Sequence, residues 1–373
     1  MHRRTFSGWV GSTFFVVLTS ISIASAQRLY WLGNLGEGTF AYGTGVSADG
    51  RVVVGYSATD DTLDSRAFYW TRATGMTQLE FSAGDRMSRA QGVSADGTVV
   101  VGYRVNAQGR LIPVRWVDGA LENLPLPTQG VWGYANKVSG DGQTIVGRYS
   151  LGAGRLRGFF HSSSTGSVGL AGLSPTDRSE ALSVSYDGSV IVGYSESVSD
   201  EARAVIWNRS GDIQDISGGR LSRAYAVTTD GTVVVGTHDT NTQTLAFRWT
   251  ASGGFESLGA FETASLTYAL AVADGGSVIV GEALLDTGDR VAVRWIENIG
   301  WQDLNLIYES LLAPETVLLS ATDISPDGRY IVGFGYNSLT DRAEAWLLDT
   351  VPEPTSLMVL AFGLVASLKR RRR

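Results

Sequence analysis

The chain has 373 residues, 43% hydrophobic, 10% aromatic and 18% charged, which is the balance of a folded protein and too apolar for a disordered one. It has no Cys and only three His. That excludes disulfides, thiolate metal sites and cysteine nucleophiles, and leaves little for a His-based zinc site. The formal net charge is −7; setting aside Arg3 and Arg4 and the five basic residues after position 354 leaves −14 on residues 27–354. So acidic a body argues against nucleic acid or an anionic lipid surface as partner.

Residues 1–26 have the form of a secretory signal. His2, Arg3 and Arg4 give a basic start, an apolar run follows to Ile23, and Ala24-Ser25-Ala26 is a small-x-small cleavage site with Ala24 and Ala26 at its key positions.

From residue 27 to about 350 one unit recurs seven times. Its core reads Gly-Val-Ser-Ala-Asp-Gly-Arg-Val-Val-Val-Gly at 45–55, and the turn glycines are Gly50, Gly97, Gly142, Gly188, Gly231, Gly276 and Gly328. Their spacings are 47, 45, 46, 43, 45 and 52 residues, a period that suits a four-stranded propeller blade. The runs are short, β-branched and bounded by Asp-Gly, which predicts strands and excludes helix. In each unit a first strand ends in Val-Ser and an Asp-Gly turn leads to Val-Val-Val-Gly. A third strand ends at Trp70, Trp116, His161, Trp207, Trp249, Trp295 or Trp346, and a fourth ends in Leu, as in 75–79, 119–124 and 254–258.

The last unit has its third strand at 342–346 and no fourth, whereas 29–35 reads as a fourth strand without a unit before it. Pairing the two completes seven blades and removes the open sheet edge, so the predicted fold is an all-β, seven-bladed β-propeller closed by its N-terminal strand. Gly43, Ala90, Ala135, Ala181, Ala224, Ala269 and Ala321 are expected to line a central channel too tight for larger side chains. Gly55, Gly102, Gly147, Gly193, Gly236, Gly281 and Gly333 are expected to allow close approach between blades. Before the last unit, 305–313 has helical spacing at Leu306, Ile307, Ser310 and Leu311, which predicts a short helix or lid over one face.

The tail, 351–373, carries Pro352-Glu353-Pro354, an apolar run of twelve to fourteen residues and then Lys369 and Arg370–Arg373. Such a run is shorter than the roughly 20 residues a straight helix needs to span a bilayer. The segment resembles the PEP-CTERM sorting tail of Gram-negative bacteria. The resemblance implies cleavage near Pro352, Glu353 and Pro354 by an exosortase-like enzyme after a signal peptidase has acted, a transient membrane attachment through the tail helix, and delivery to the cell surface or beyond. Arg66-Ala67-Phe68-Tyr69-Trp70 and Leu245-Ala246-Phe247-Arg248-Trp249, each followed by Gly and Leu, resemble the HAF repeats of bacterial extracellular proteins, although no unit here has the His. The turn Ser325-Pro326-Asp327-Gly328-Arg329 also resembles that of TolB-type propellers. Both resemblances imply a propeller and neither implies an activity.

Few residues offer chemistry. The recurring Trp suit packing between sheets better than stacking on sugars. The third-strand arginines Arg66, Arg157, Arg203 and Arg342, and Arg115, Arg248 and Arg294, fall on opposite faces and suit structural ion pairs with nearby acids. Asp49, Asp96, Asp141, Asp187, Asp230 and Asp327 offer one carboxylate per turn, which suits turn stabilisation rather than calcium. No nucleophile–His–acid set can be assembled from His161 and His238, and no cofactor is implied. Asp60, Asp61 and Asp64 on an acidic loop, with Tyr308 in the irregular segment, mark the candidate ligand face. The expected role is non-catalytic: an exported propeller binding an exopolysaccharide or an envelope protein at the cell surface or in the extracellular matrix. The alternative is a hydrolase or lyase acting on extracellular polysaccharide, which would show buried carboxylates facing each other across a pocket.

Overall fold

The computed structural model describes residues 27–59, 64–262 and 264–350. The cleavage-site residues Ala24 and Ala26, the motif Pro352-Glu353-Pro354, and Asp60 and Asp61 lie outside these. Among the described residues, no helix is long and apolar enough to cross a membrane.

The fold is all-β and propeller-like, built from four-stranded antiparallel sheets. The first full unit shows the pattern: Ala41–Val46, Val52–Ala58, Ser65–Thr71 and Gly75–Gln78 pair in chain order. The fifth and sixth units repeat it and are joined by one parallel pair, Thr244↔Leu266, into an eight-stranded sheet. In the last unit, Val317–Ile324, Tyr330–Asn337 and Arg342–Asp349 supply three strands, and Arg28–Trp31 is the fourth. Its register runs from Arg28↔Asp349 to Trp31↔Trp346, and the Leu32 amide donates to the Ala345 carbonyl.

The Asp-Gly turns explain why the repeat is so regular. Gly50 stands at φ 67°, a conformation that favours glycine. Ser47 Oγ donates to Asp49 Oδ1, which also accepts from the Arg51 amide, while Ser47 Oγ accepts from the Val52 amide. The same three bonds recur around Asp96, Asp141, Asp187, Asp230 and Asp327, with Thr228 replacing Ser at Asp230. These carboxylates hold their own turns.

Successive turns are also stitched together. The amides of Ala48, Ala95, Asp141, Tyr186 and Asp274 donate to the carbonyls of Ala95, Gly140, Tyr186, Thr229 and Pro326 respectively, and the Thr229 amide donates to Asp274 Oδ1. The last unit reaches the first: the Val46 amide donates to Asp323 Oδ2 at 3.2 Å, and Thr322 Oγ1 donates to the Gly43 carbonyl at 2.7 Å.

Between sheets lie apolar clusters centred on the third strands. Trp116, Trp207 and Trp346 are fully buried, and Trp70 and Trp295 nearly so. The indole N–H of Trp116 donates to the Glu80 carbonyl and that of Trp207 to the Ala171 carbonyl, whereas that of Trp346 is buried without a partner. Arg115, Arg203, Arg248 and Arg342 form ion pairs with Glu122, Asp215, Glu256 and Glu37. Arg66, Arg157 and Arg294 instead donate to backbone carbonyls or neutral side chains.

Two expectations need correction, and a third holds only for its short helix. The small residues at 43, 90, 135 and their equivalents do not line a channel; the Ala residues are buried, and a Cβ at Gly43 would strike Val332 and Gly333 of the adjoining sheet. The glycines at 55, 102, 147 and their equivalents relieve crowding within a sheet, because a Cβ at Gly55 would collide with the Tyr42 carbonyl on the paired first strand. The irregular segment forms a one-turn helix, Leu304–Ile307, and a 3-10 turn, Glu309–Leu311, but no lid. Leu304 and Tyr308 sink into the cluster around Trp346, Ile307 and Leu311 pack on it, and Leu306 points outward at 70% exposure. Apolar contact with the last sheet thus fixes the segment in the wall.

Candidate functional site

Each first strand carries a β-bulge at the same place, a register shift spanning Gly43/Gly45, Ala90/Gly92, Ala135/Lys137, Ala181/Ser183, Ala224/Ala226, Ala269/Ala271 or Ala321/Asp323. A bulge adds one unpaired residue and re-aims its side chain. The seven extra residues, Thr44, Gln91, Asn136, Leu182, Tyr225, Leu270 and Thr322, line a single cavity of about 260 Å³ together with Lys137. This cavity lies where the first strands converge, and the bulges are what open side chains into it.

Below this cup an ion pair joins the third and last units. Lys137 Nζ lies 2.9 Å from Asp323 Oδ2, both largely shielded from solvent. On the far side of the pair, toward the Asp-Gly turns, Val46, Val93, Val138, Val184, Val227, Val272 and Ile324 form an apolar collar around a smaller space of about 120 Å³. The space between the first strands therefore has two unlike ends.

Around the cup runs a belt of aromatic and charged side chains, set by the residue two before each bulge-opening residue on the first strand and its partner on the second. Tyr42 meets Phe334 of the last sheet edge-on at 4.4 Å between ring centres and Tyr56 at 5.3 Å. The Arg89 guanidinium lies 4.3 Å from the Tyr56 ring, Tyr103 meets Tyr134, Arg223 lies over Tyr194, and Tyr225 meets Tyr268. At its densest point the buried Glu180 accepts from the hydroxyls of Tyr134 and Tyr194 at 3.0 and 2.8 Å and from Asn136 Nδ2 at 3.1 Å, and pairs with Arg148 at 2.8 Å. Burial first, and then the Glu180 charge, push both tyrosine hydroxyls well above the ordinary phenol range, so they stay protonated donors. For Arg148, burial works against the charge but Glu180 and its neighbours outweigh it and raise the pKa.

The sequence-based ligand face is only partly in register with this geometry. Tyr308 is 1% exposed, and its hydroxyl meets Arg294 Nη1 at 3.1 Å inside the wall, so it presents no surface to a ligand. Asp64 sits half-buried just before the strand Ser65–Thr71, at the end of the sheets from which the first strands start. The belt and the bulge residues were missed. Their signal was a position that changes from unit to unit, Tyr, Arg, Tyr, Glu, Arg, Tyr and Ser, immediately before a position that is Gly or Ala in every unit.

The two described histidines, His161 and His238, stand apart. His161 Nδ1 shares a hydrogen bond with Ser167 Oγ at 2.9 Å, and His238 Nε2 with Ser257 Oγ at 2.8 Å, on different sheets. His238 Nδ1 is buried without a partner, so no acid orients that ring. Burial, then Arg115 or Arg220, lowers both imidazole pKa values and favours the neutral form. Among the described residues no group of three His, Asp or Glu stands together as metal ligands would.

Comparison with known proteins locates the export signal and the fold. Residues 350–373 match the PEP-CTERM protein-sorting motif. The chain carries an exosortase sorting tail. No protein of curated function matches the sequence. The fold is similar to that of an oligogalacturonate lyase from Vibrio parahaemolyticus, at 13% identity and TM-score 0.56 over 89% of this chain and 95% of that one. It is also similar to a streptogramin B lyase (11%, TM-score 0.53, 87% and 97% covered) and to a prolyl endopeptidase (13%, TM-score 0.56, 85% and 51% covered). At these identities the likeness is one of fold, and such different activities on one fold leave function to the site.

Proposed function

We propose that this protein is an exported, non-catalytic β-propeller that uses the open end of its channel to bind a glycan or an envelope partner, at the cell surface or in the extracellular matrix of a Gram-negative bacterium. In this reading the seven units are seven HAF-type blades closed into a ring by Arg28–Trp31. The pairing of that strand with Arg342–Asp349, and the bonds from Asp323 and Thr322 to the first unit, support the closure. The sorting tail implies exosortase processing, which places the folded body outside the cytoplasm.

The observation that carries the binding role is the belt around the cup: eight aromatic rings and three arginines gathered at one end of the sheets, where aromatic faces and hydrogen-bonding groups meet. Each buried carboxylate among the described residues has at least one structural partner. Glu180 has four donors, Asp85 pairs with Arg104, Glu344 accepts from Asn337 and Thr340, and Asp349 pairs with Arg329. The competing reading, a polysaccharide hydrolase or lyase, draws on Glu180 with its two tyrosines and Arg148 beside the channel. Incubating the purified protein with immobilised neutral and acidic polysaccharides separates the two: retention without release of shortened chains is expected, and release of reducing or unsaturated ends would overturn the non-catalytic role.

A further inference from the structure

The cup is two-sided. Thr44, Thr322, Gln91 and Asn136, from the last unit and the first three, form a polar arc, and Leu182, Tyr225 and Leu270, from the fourth to sixth, form an apolar arc facing it. The polar arc has unspent capacity. The Thr44 and Thr322 hydroxyls donate to backbone carbonyls and keep lone pairs for accepting. Asn136 spends both its hydrogens on Glu180 and the Ala181 carbonyl, leaving Oδ1 as an acceptor. Gln91 makes no side-chain hydrogen bond among the described residues, and Lys137 Nζ, bonded once to Asp323, has two further protons to donate.

Resting on the glycan-binding reading above, we propose that the cup holds one terminal residue of a neutral polysaccharide. A sugar ring has hydroxyls on its edge and C–H groups on its face, which suits opposed polar and apolar walls. A volume of about 260 Å³, below the roughly 300–1,000 Å³ of sites for drug-sized ligands, suits one ring rather than several. The Lys137–Asp323 pair crosses the floor of the cup, which suits entry by a chain end rather than threading of a polymer. The floor pair is itself neutral overall, and the acidic body repels polyanions at a distance, so a neutral sugar is favoured over a uronic one.

The test uses the purified protein and a neutral polysaccharide that it retains, offered as a competitor intact or partially hydrolysed at equal mass. End recognition predicts that cutting mean chain length tenfold raises inhibition per unit mass about tenfold. It also predicts that Gln91→Leu and Tyr225→Ala each weaken binding about tenfold or more without shifting the melting temperature enough to unfold the protein at the assay temperature. Equal inhibition per mass, unchanged binding by both folded variants, or retention confined to acidic polysaccharides overturns the cup while leaving the broader glycan role standing. Retention of no glycan overturns both.

Discussion

The two ends of the sheets are built on opposite rules. At one, six Asp-Gly turns repeat the same three hydrogen bonds, and the Val or Ile that follows each bulge repeats in every unit. At the other, the belt and bulge positions differ from unit to unit, Tyr42 in one and Glu180 or Arg223 in others, and these are the side chains that surround the cup. Positions under the same constraint in every unit carry the fold, and positions freed from it carry what is individual to this protein.

The comparison can be broken most decisively at the joint that both ends share. Deleting residues 28–35 removes Leu32 and the partly buried Leu29, Tyr30 and Trp31 from two clusters, and should cost about 5 kcal/mol or more at roughly 1.5–3 kcal/mol per buried side chain. A denaturant midpoint unchanged by the deletion would contradict the closure.

At the variable end, Glu180→Ala should destabilise by about 3–5 kcal/mol, because Arg148 is left charged and largely buried with no counter-ion. Glu180→Gln keeps some acceptor capacity and should cost less; chemical denaturation of the pair ranks them, and equal small losses would show the cluster to be dispensable to the fold.

At the repeated end, Ser139→Ala removes the buried hydroxyl bridging Asp141 and the Thr144 amide, for a loss of about 1–2 kcal/mol. Adding Ser47→Ala, in a unit whose turn has no direct hydrogen bond to that of Ser139, should sum with it to within about 0.5 kcal/mol. Marked non-additivity would mean the turns work as one ring.

The smallest effect is on pH dependence. Hydrogen bonds from the turn hold Asp96, Asp187 and Asp230 below the ordinary carboxylate pKa: chiefly the Ser94 hydroxyl for the first, the Ser189 amide for the second and the Thr228 hydroxyl for the third. A depressed folded-state pKa gives stability that is present above about pH 4 and lost as pH falls through the lower folded value. Denaturation midpoints between about pH 5 and pH 2.5 should therefore fall, with a shallower slope in Asp96→Asn. These groups are exposed, so the change is small.

What the sequence made legible follows the same division. The Asp-Gly turns, the strand order, the third-strand tryptophans and the terminal strand that pairs with Arg342–Asp349 all rest on local patterns of β-branching, turn chemistry and period, and they read directly. The cup did not. A bulge inserts a residue without altering composition or period, so counting alternation along 43–46 put Gly43 where Thr44 belongs. The helical spacing at 305–313 misled for a related reason: the segment makes only one α-turn, and the buried set is decided by the last sheet, which takes in Leu304 and Tyr308 and leaves Leu306 outside.

The final strand, Arg342–Asp349, runs toward the turn end and stops there, with Asp349 opposite Tyr330 and clasped by Arg329, and with the Thr350 amide donating to the Arg329 carbonyl. The sorting-motif match begins there, at residue 350. The described chain thus ends beside the Asp-Gly turns, at the opposite end of the sheets from the cup.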